Sequence, residues 1–234
     1  MMDRHTTLRE QYDRWHDDAE AADDDPRQRK HDDWILGLLS PRPGSLLLDV
    51  ACGRGSFLRY AADRGLEVAG IDISPVAIEA ARRRLGADVD LRVGSGENLP
   101  FDDDSFDYVT CLGSLEHYID PEQGAREIAR VLRPDGTALI LVPNLFFLGH
   151  VWLGIRHGTQ PSEGEQDFSE TFRSTQGWKQ LLEESGLRVR SWHTWNYVFA
   201  SRKVSPLTMR VWNTFARFVP KHASMHLVYV CSAR

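Results

Sequence analysis

Cysteine is scarce in this chain of 234 residues, and its placement excludes two classes of small protein. The three cysteines, Cys52, Cys111 and Cys231, lie far apart, and no two of them form a C-x-x-C pair. This spacing argues against a disulfide framework and against a zinc site, and it favours a reducing compartment. The first thirty residues are too charged to contain the apolar core of a secretory signal. We therefore expect a cytoplasmic protein.

The chain also lacks an apolar run long enough to cross a membrane. The longest run, residues 138–155, is interrupted by Pro143, Asn144 and His150. With 41% hydrophobic and 26% charged residues, the composition matches a soluble domain that can bury a sizeable core. Disordered, collagen-like and membrane-spanning classes are thereby excluded.

Acidic residues are missing from one long stretch. Residues 187–234 contain eight Lys or Arg and no Asp or Glu, although the net charge of the whole chain is −6. Within this stretch, residues 206–219 predict a helix with an apolar face beside a basic stripe. Three interpretations stay open: the helix covers a sheet, it docks on an anionic membrane or a lipid-linked diphosphate acceptor, or it contacts nucleic acid, which we place last.

Alternating strand and helix patterns predict the fold class. A helical cap over residues 1–40 is followed by a second unit, residues 41–234, in which strands are predicted at 45–50, 66–73, 89–93, 106–112, 137–142, 187–195 and 226–231. Helices are predicted at about 56–64, 75–85, 121–132 and 175–185. Such alternation is typical of an α/β protein whose mainly parallel sheet has helices on both faces. Two excursions without clear periodicity, 145–173 and 196–225, are assigned to acceptor binding.

A glycine-rich turn follows the first predicted strand at residues 49–55, which read DVACGRG. Glycines allow a ligand to approach the backbone closely, and the following helix offers unpaired N–H groups. A second acid, Asp72, ends the next strand, where a carboxylate can accept hydrogen bonds from ribose hydroxyls. A dinucleotide would require a third glycine where Leu58 stands, and Asp49 would repel a pyrophosphate but attract an ammonium group. The pattern therefore predicts a nucleoside that carries an amino acid and disfavours a nicotinamide oxidoreductase.

With these features the chain resembles the class I S-adenosylmethionine-dependent methyltransferases, in particular the subgroup that acts on small molecules. The resemblance covers about residues 45–143 and rests on the segments 49–55, 70–74, 94–101, 106–109, 115–117 and 132–136. Two residues depart from the family pattern: Ala51 stands where glycine is commoner, and Ser95 stands where aspartate is usual. Because a hydroxyl binds more weakly than a carboxylate, we expect Ser95→Asp to tighten cofactor binding or leave it unharmed.

The resemblance implies a Rossmann-like, doubly wound sheet of seven strands in the order 3-2-1-4-5-7-6, with the last strand antiparallel. It implies S-adenosyl-L-methionine as the cofactor. The cofactor contacts that it implies are Tyr12, Asp49, Ala51, Cys52, Gly53, Gly55, Asp72, Ile73, Ser95, Gly96, Glu97 and Leu112. Tyr12 and Trp15 stand where relatives often close an aromatic lid, although packing within the cap explains this pair equally well.

Methyl transfer depends on holding an acceptor in line with the sulfur–methyl bond, and a base matters only when the acceptor's pKa is high. His117 is the first candidate base, followed by His150 and His157. A histidine that only ties its loop to the backbone is the alternative interpretation of His117. Glu163 and Glu165 are candidate contacts for a cationic or hydroxylated acceptor, or else solvated loop charges.

No metal is expected at the turn that carries His117. In certain quinone-pathway relatives another acid precedes this turn, and here Gly113 occupies its position. Without a second oxygen ligand a hard cation would be poorly held.

The sequence thus predicts methyl transfer to oxygen, or in second place nitrogen, of a small metabolite, a saccharide or a lipid-linked intermediate. The alternative from another class is a non-catalytic S-adenosylmethionine-binding scaffold. The presence of Asp49, Gly53, Gly55 and Asp72 speaks against a degenerate site.

Overall fold

The computed structural model describes residues 4–18, 26–147, 171–196, 213–214 and 216–234. The helices are α1 (Arg4–Asp18), α2 (Pro26–Leu39), α3 (Ser56–Ala62), α4 (Pro75–Leu85), α5 (Pro121–Val131) and α6 (Thr175–Glu184). The strands are β1 (Leu46–Val50), β2 (Glu67–Asp72), β3 (Asp90–Val93), β4 (Phe106–Leu112), β5 (Leu132–Pro143), β6 (Leu187–Trp195) and β7 (His226–Ala233). Short 3-10 turns cover Leu115–His117, Ala216–Phe218 and Lys221–Ala223.

The seven strands form one sheet in the order β3-β2-β1-β4-β5-β7-β6. Strands β1 to β5 pair in parallel, whereas β7 runs antiparallel to both of its neighbours, β5 and β6. The predicted strand order and the antiparallel last strand are confirmed. The division of the chain at residue 40 stays a prediction.

The central strands are buried on both faces, which explains their nearly continuous apolar sequences. Successive side chains of a strand point to opposite faces, so Leu48 packs with Ile128 and Trp178 on one side of the sheet. Leu47, one residue earlier, packs with Ile35 and Leu58 on the other side. The two cores hold α5 and α6 on one face and α2, α3 and α4 on the other.

Serine and aspartate caps begin two of the helices where the sequence predicts. The Ser74 hydroxyl accepts a hydrogen bond from the Ala77 amide at 3.1 Å, with Pro75 as the first residue of α4. The Asp120 carboxylate accepts from the Gln123 amide at 2.8 Å, at the start of α5. Both caps lie at the end of the sheet where the ligand-binding turns are expected.

One strand differs from its prediction by more than two residues. Strand β5 begins at Leu132, not at residue 137, because Leu132 pairs with Phe106 before a register shift in β4. A Cβ at Gly136 would lie 2.9 Å from the Asp107 carbonyl oxygen, so only glycine allows this close strand contact.

Both excursions begin and end at the same edge of the sheet. The Leu145 amide donates to the Arg173 carbonyl at 3.1 Å, which joins the two ends of the first excursion. In the second, the Met225 amide donates to the Asn196 side chain at 2.8 Å. The buried Asn144 connects the two by donating its amide to the Ser224 carbonyl at 2.9 Å. Most of the predicted helix at 206–219 lies outside the described residues.

Among the residues that the structure describes, no helix combines the length and the apolar character needed to cross a bilayer.

Candidate active site

A cavity of about 650 Å³ lies at the carboxyl ends of the parallel strands. Open α/β sheets commonly bind their ligands at this edge. Twelve of the thirteen residues proposed from sequence line it: Tyr12, Asp49, Ala51, Cys52, Gly53, Asp72, Ile73, Ser95, Gly96, Glu97, Leu112 and His117. The sequence therefore identifies one continuous site, although its segments are up to a hundred residues apart.

Gly55 is the exception, because it does not belong to the lining. It precedes α3 with a φ of 74°, in the left-handed region that favours glycine. A Cβ there would lie 3.1 Å from the Ala81 Cβ and 3.0 Å from Leu85 Cδ1. In the structure Gly55 shapes the turn and packs α3 on α4, and its contact with the cofactor stays a prediction.

Asp49 is a buried acid in the lining of the cavity. The Thr110 hydroxyl donates a hydrogen bond to its carboxylate at 2.7 Å. Burial raises the pKa of Asp49 to about 7; the Thr110 hydrogen bond opposes this shift, and the neighbouring carboxylates of Asp72 and Asp32 add to it. A bound cation would relieve this desolvated negative charge, as expected for the ammonium group of an amino acid.

Asp72 connects the end of β2 with the turn after β1. Its Oδ2 accepts a hydrogen bond from the Gly53 amide at 2.8 Å, and its Oδ1 accepts from the Ser74 amide at 2.9 Å. Burial raises the pKa of Asp72, while these two amides lower it. Each carboxylate oxygen keeps a second lone pair, so the fixed group can still accept from the hydroxyls of a ribose.

The turn between β1 and α3 is strained at Ala51, which has a φ of 60°. That conformation explains why the family prefers glycine at this position. Behind the turn, a Cβ at Gly70 would lie 2.7 Å from Leu58 Cδ1 and 2.8 Å from Cys52 Sγ. The Leu58 side chain thus packs between α3 and β2, at the position where a dinucleotide-binding turn would have its third glycine. This packing agrees with the sequence argument against a dinucleotide ligand.

The loop after β3 is organised by its own side chains. The Ser95 hydroxyl accepts from the Glu97 amide at 3.1 Å and donates to Glu97 Oε2 at 3.3 Å. Gly96 lies against the Tyr118 ring, and a Cβ at either Gly96 or Gly124 would collide with that ring. Tyr118, which sequence reasoning missed, also lines the cavity. The two glycines on either side of its ring are the only sequence signal that could have indicated it.

His117 lies in the 3-10 turn after β4, next to Tyr12 of α1. The two rings meet edge to face, with their centroids 6.3 Å apart. Tyr12 therefore reaches the cavity, whereas the Trp15 side chain lies outside the described residues, as do His150, His157, Glu163 and Glu165. Within the described ranges, no three His, Cys, Asp or Glu side chains are grouped as a metal site would require.

Sequence reasoning also missed the far end of the cavity, where Gln28, His31, Trp195 and His226 belong to the lining. Trp195 is the last residue of β6, and His226 is the first residue of the antiparallel strand β7. The two are partners in the β6–β7 pairing. The expected strand order already places both positions at the cavity edge, so it is the signal that could have found them.

Residues 48–140 match a sequence family described as a methyltransferase domain. A nocamycin O-methyltransferase of Saccharothrix syringae is 46% identical over 110 residues, covering 44% of this chain and 39% of that protein. A 27-O-demethylrifamycin SV methyltransferase of Amycolatopsis mediterranei is 39% identical over 137 residues, covering 54% of this chain and 50% of that protein. The chain thus spans half or less of the length of these two relatives.

Among solved structures, a geranyl diphosphate C-methyltransferase from Streptomyces coelicolor superposes with a TM-score of 0.69 and 14% identity. The match covers 97% of this chain and 98% of that one, which was solved with Mg²⁺, geranyl diphosphate and S-adenosyl-L-homocysteine. At this identity the likeness establishes the fold alone. Residues 48–140 thus match a methyltransferase domain, and the sheet has the strand order that the resemblance to the class I S-adenosylmethionine-dependent methyltransferases implies.

Proposed function

We propose that the protein transfers the methyl group of S-adenosylmethionine to an oxygen atom of a small-molecule acceptor. The observation that carries the proposal is the single cavity that brings Asp49, Asp72 and His117 together at the carboxyl edge of the sheet. When bound, the cofactor supplies an electrophilic methyl group on a sulfonium centre. The protein must then hold the acceptor in line and exclude water, which can lower the barrier by about 7–11 kcal/mol.

The described residues suit the cofactor in charge and in shape. Asp49 supplies a desolvated carboxylate for an ammonium group, and Asp72 supplies a rigid acceptor for ribose hydroxyls. The loop of Ser95, Gly96 and Glu97 offers backbone and hydroxyl groups to the adenine edge. A side chain at position 96 would collide with the Tyr118 ring, so the glycine backbone alone forms the loop at that point.

His117 is the proposed general base for a hydroxyl acceptor. It lies in the cavity lining at the carboxyl end of β4, and a base is needed when the acceptor's pKa is well above ambient pH. The names of the relatives include both O- and C-methyltransferases. Oxygen is favoured here because a hydroxyl proton is one that a neutral imidazole can remove as the methyl group arrives.

Contact with an anionic membrane is a second part of the proposal, together with a cytoplasmic location. Phe218 is 68% exposed. The exposed cations Arg188, Arg190 and Lys221 belong to β6 and to the turn before β7. Sedimentation with anionic and with neutral vesicles tests this contact. Binding to the anionic vesicles alone, lost as salt rises, supports it, and absence from both pellets contradicts it.

Calorimetry with S-adenosylmethionine, S-adenosylhomocysteine and NAD tests the cofactor assignment. We expect binding of the first two and none of NAD. Extracts incubated with methyl-labelled cofactor and analysed by mass spectrometry then test transfer. Binding without any labelled product would favour the alternative, a non-catalytic S-adenosylmethionine-binding scaffold.

A further inference from the structure

The cavity extends well beyond the strands that carry the cofactor motifs. Asp49 and Asp72 lie at the ends of β1 and β2, whereas Trp195 and His226 belong to β6 and β7. The order β1-β4-β5-β7-β6 separates these pairs of strands within the sheet. Trp195 nevertheless contacts His31 of α2, and the neighbouring Asp32 is close enough to Asp49 to raise its pKa. The far end therefore borders the proposed place of the cofactor's methionine end, where an acceptor must lie to receive the methyl group.

Aromatic rings form the wall of this far end. The ring centroids of Trp195 and His31 are 4.8 Å apart in an edge-to-face arrangement, and those of Trp195 and Trp34 are 5.0 Å apart. Trp195 is only 8% exposed, yet it belongs to the cavity lining. The wall is thus a packed, rigid surface that presents a small part of the indole to the cavity.

Buried polar contacts fix the His31 ring in this wall. His31 Nδ1 lies 3.4 Å from the Asp32 carboxylate, and the Gln28 amide donates to the same carboxylate oxygen at 2.9 Å. His31 and Asp32 are 4% and 3% exposed. Because these contacts hold the His31 ring in one orientation, the ring is part of a surface that exists before any ligand binds.

The charges of the lining distinguish between classes of acceptor. Of the lining residues that the structure describes, Arg54 is the only Lys or Arg, and it belongs to the turn after β1. At the far end the buried carboxylate is that of Asp32, which is 3% exposed and lies beside His31, whereas Glu116 belongs to the turn that carries His117. A diphosphate or carboxylate placed there would meet a like charge without a compensating cation from these residues.

We propose that the far end, defined by His31, Trp195 and His226, binds the planar ring of an uncharged aromatic hydroxyl compound. This inference rests on the proposed function, because it names the class of acceptor for the same site. Flat rings pack against aromatic walls in offset or edge-to-face geometries that saturated rings cannot reproduce. The imidazole nitrogens of the histidines nearby can form a hydrogen bond with the hydroxyl group.

Calorimetry on the full chain saturated with S-adenosylhomocysteine tests the proposal with three matched probes: 1-naphthol, decahydro-1-naphthol and 1-naphthyl phosphate. We expect 1-naphthol to bind about tenfold more tightly than either of the others. Trp195→Leu should lower the affinity for 1-naphthol about tenfold, and Trp195→Phe should retain most of it. Trp192→Leu is the matched control, since Trp192 belongs to the same strand but not to the cavity lining.

Equal binding of 1-naphthol and its saturated analogue would overturn the inference, as would tighter binding of the phosphate or an unaltered affinity in Trp195→Leu. The affinity for S-adenosylhomocysteine, measured in the same titrations, should be the same in all variants. If S-adenosylhomocysteine does not bind the unmodified protein, the proposed function is contradicted and the acceptor class is still open to test. Titration of the three probes into the cofactor-free protein then decides whether the cavity prefers a planar, uncharged ring.

Discussion

The Asp72 carboxylate accepts a hydrogen bond from the Gly53 amide at 2.8 Å. Two segments that the sequence presents as separate motifs, 23 residues apart from Asp49 to Asp72, are therefore one structural unit. The carboxylate holds the turn in place and keeps lone pairs for a ligand. A change at Asp72 thus acts on the proposed ribose contact and on the shape of the turn together.

Asp72→Ala should weaken the binding of S-adenosylhomocysteine by about 2–4 kcal/mol, because buried hydrogen bonds to a charged group are lost. Calorimetry on the purified variant measures the change. Glu67→Ala is the matched control, since Glu67 is an exposed acid at the start of the same strand. Equal affinity in the Asp72 variant and the control would remove Asp72 from the proposed site.

Asp49 should make the cofactor-free protein less stable as the pH rises. Its folded pKa of about 7 lies above the value of 3.8 expected for an unfolded chain. The folded state therefore holds this proton more tightly, and the resulting stability is complete below about pH 4 and is lost as the pH rises to about 7. At about 1.4 kcal/mol for each pH unit, the loss is on the order of 4 kcal/mol.

Asp49→Asn should therefore unfold at a higher temperature than the unmodified protein at pH 8, and the difference should shrink towards pH 5. Asparagine can still accept the Thr110 hydrogen bond, so the site keeps its packing. The same variant should bind S-adenosylmethionine more weakly, because the ammonium group loses its counter-charge. Thermal melts that show the same pH profile for both proteins would contradict the assignment of this buried charge.

Ala51→Gly should stabilise the fold, because Ala51 has a φ of 60°. Relief of the left-handed strain is worth about 1–2 kcal/mol, and the greater freedom of glycine in the unfolded chain costs about 0.5–1 kcal/mol. We expect a net gain of about 0.5–1 kcal/mol in urea unfolding. Ala62→Gly in the helix α3 should instead cost about 1 kcal/mol. A loss of equal size at both positions would show that Ala51 is not strained.

The motif segments that line the cavity were predictable because they depend on local patterns, and the strand order was predictable from the family that those motifs resemble. The turn at 49–55 and Asp72 each follow a strand that can be recognised from its own residues. The wall formed by His31 and Trp195 was not, since it depends on a contact between α2 and the end of β6, which no local pattern connects. For Gly55 the motif shows that glycine is needed but does not show whether a ligand or the packing against α4 requires it.

The effect of Ser95→Asp on cofactor binding depends on the neighbouring Glu97 side chain. Glu97 Oε2 lies 3.3 Å from the Ser95 hydroxyl, so a carboxylate at this position would repel that of Glu97. We now expect the single variant to bind S-adenosylhomocysteine no more tightly than the unmodified protein. Ser95→Asp combined with Glu97→Gln should bind more tightly than Glu97→Gln alone, as calorimetry can show. Tighter binding by the single variant would mean that Glu97 does not oppose the new charge.

His117 should act as a general base in a reaction that needs no metal. A histidine base predicts a rate that rises with pH and then levels off. Once an acceptor is found, His117→Ala should flatten this profile and lower the rate by roughly 10²–10⁴-fold. His222→Ala is the control, since His222 is exposed and does not belong to the cavity lining.

Because Gly113 stands where metal-assisted relatives carry an acid, activity should survive EDTA. Loss with EDTA that magnesium restores would overturn the metal prediction, and an unaltered rate and profile in His117→Ala would leave His117 with a structural role only.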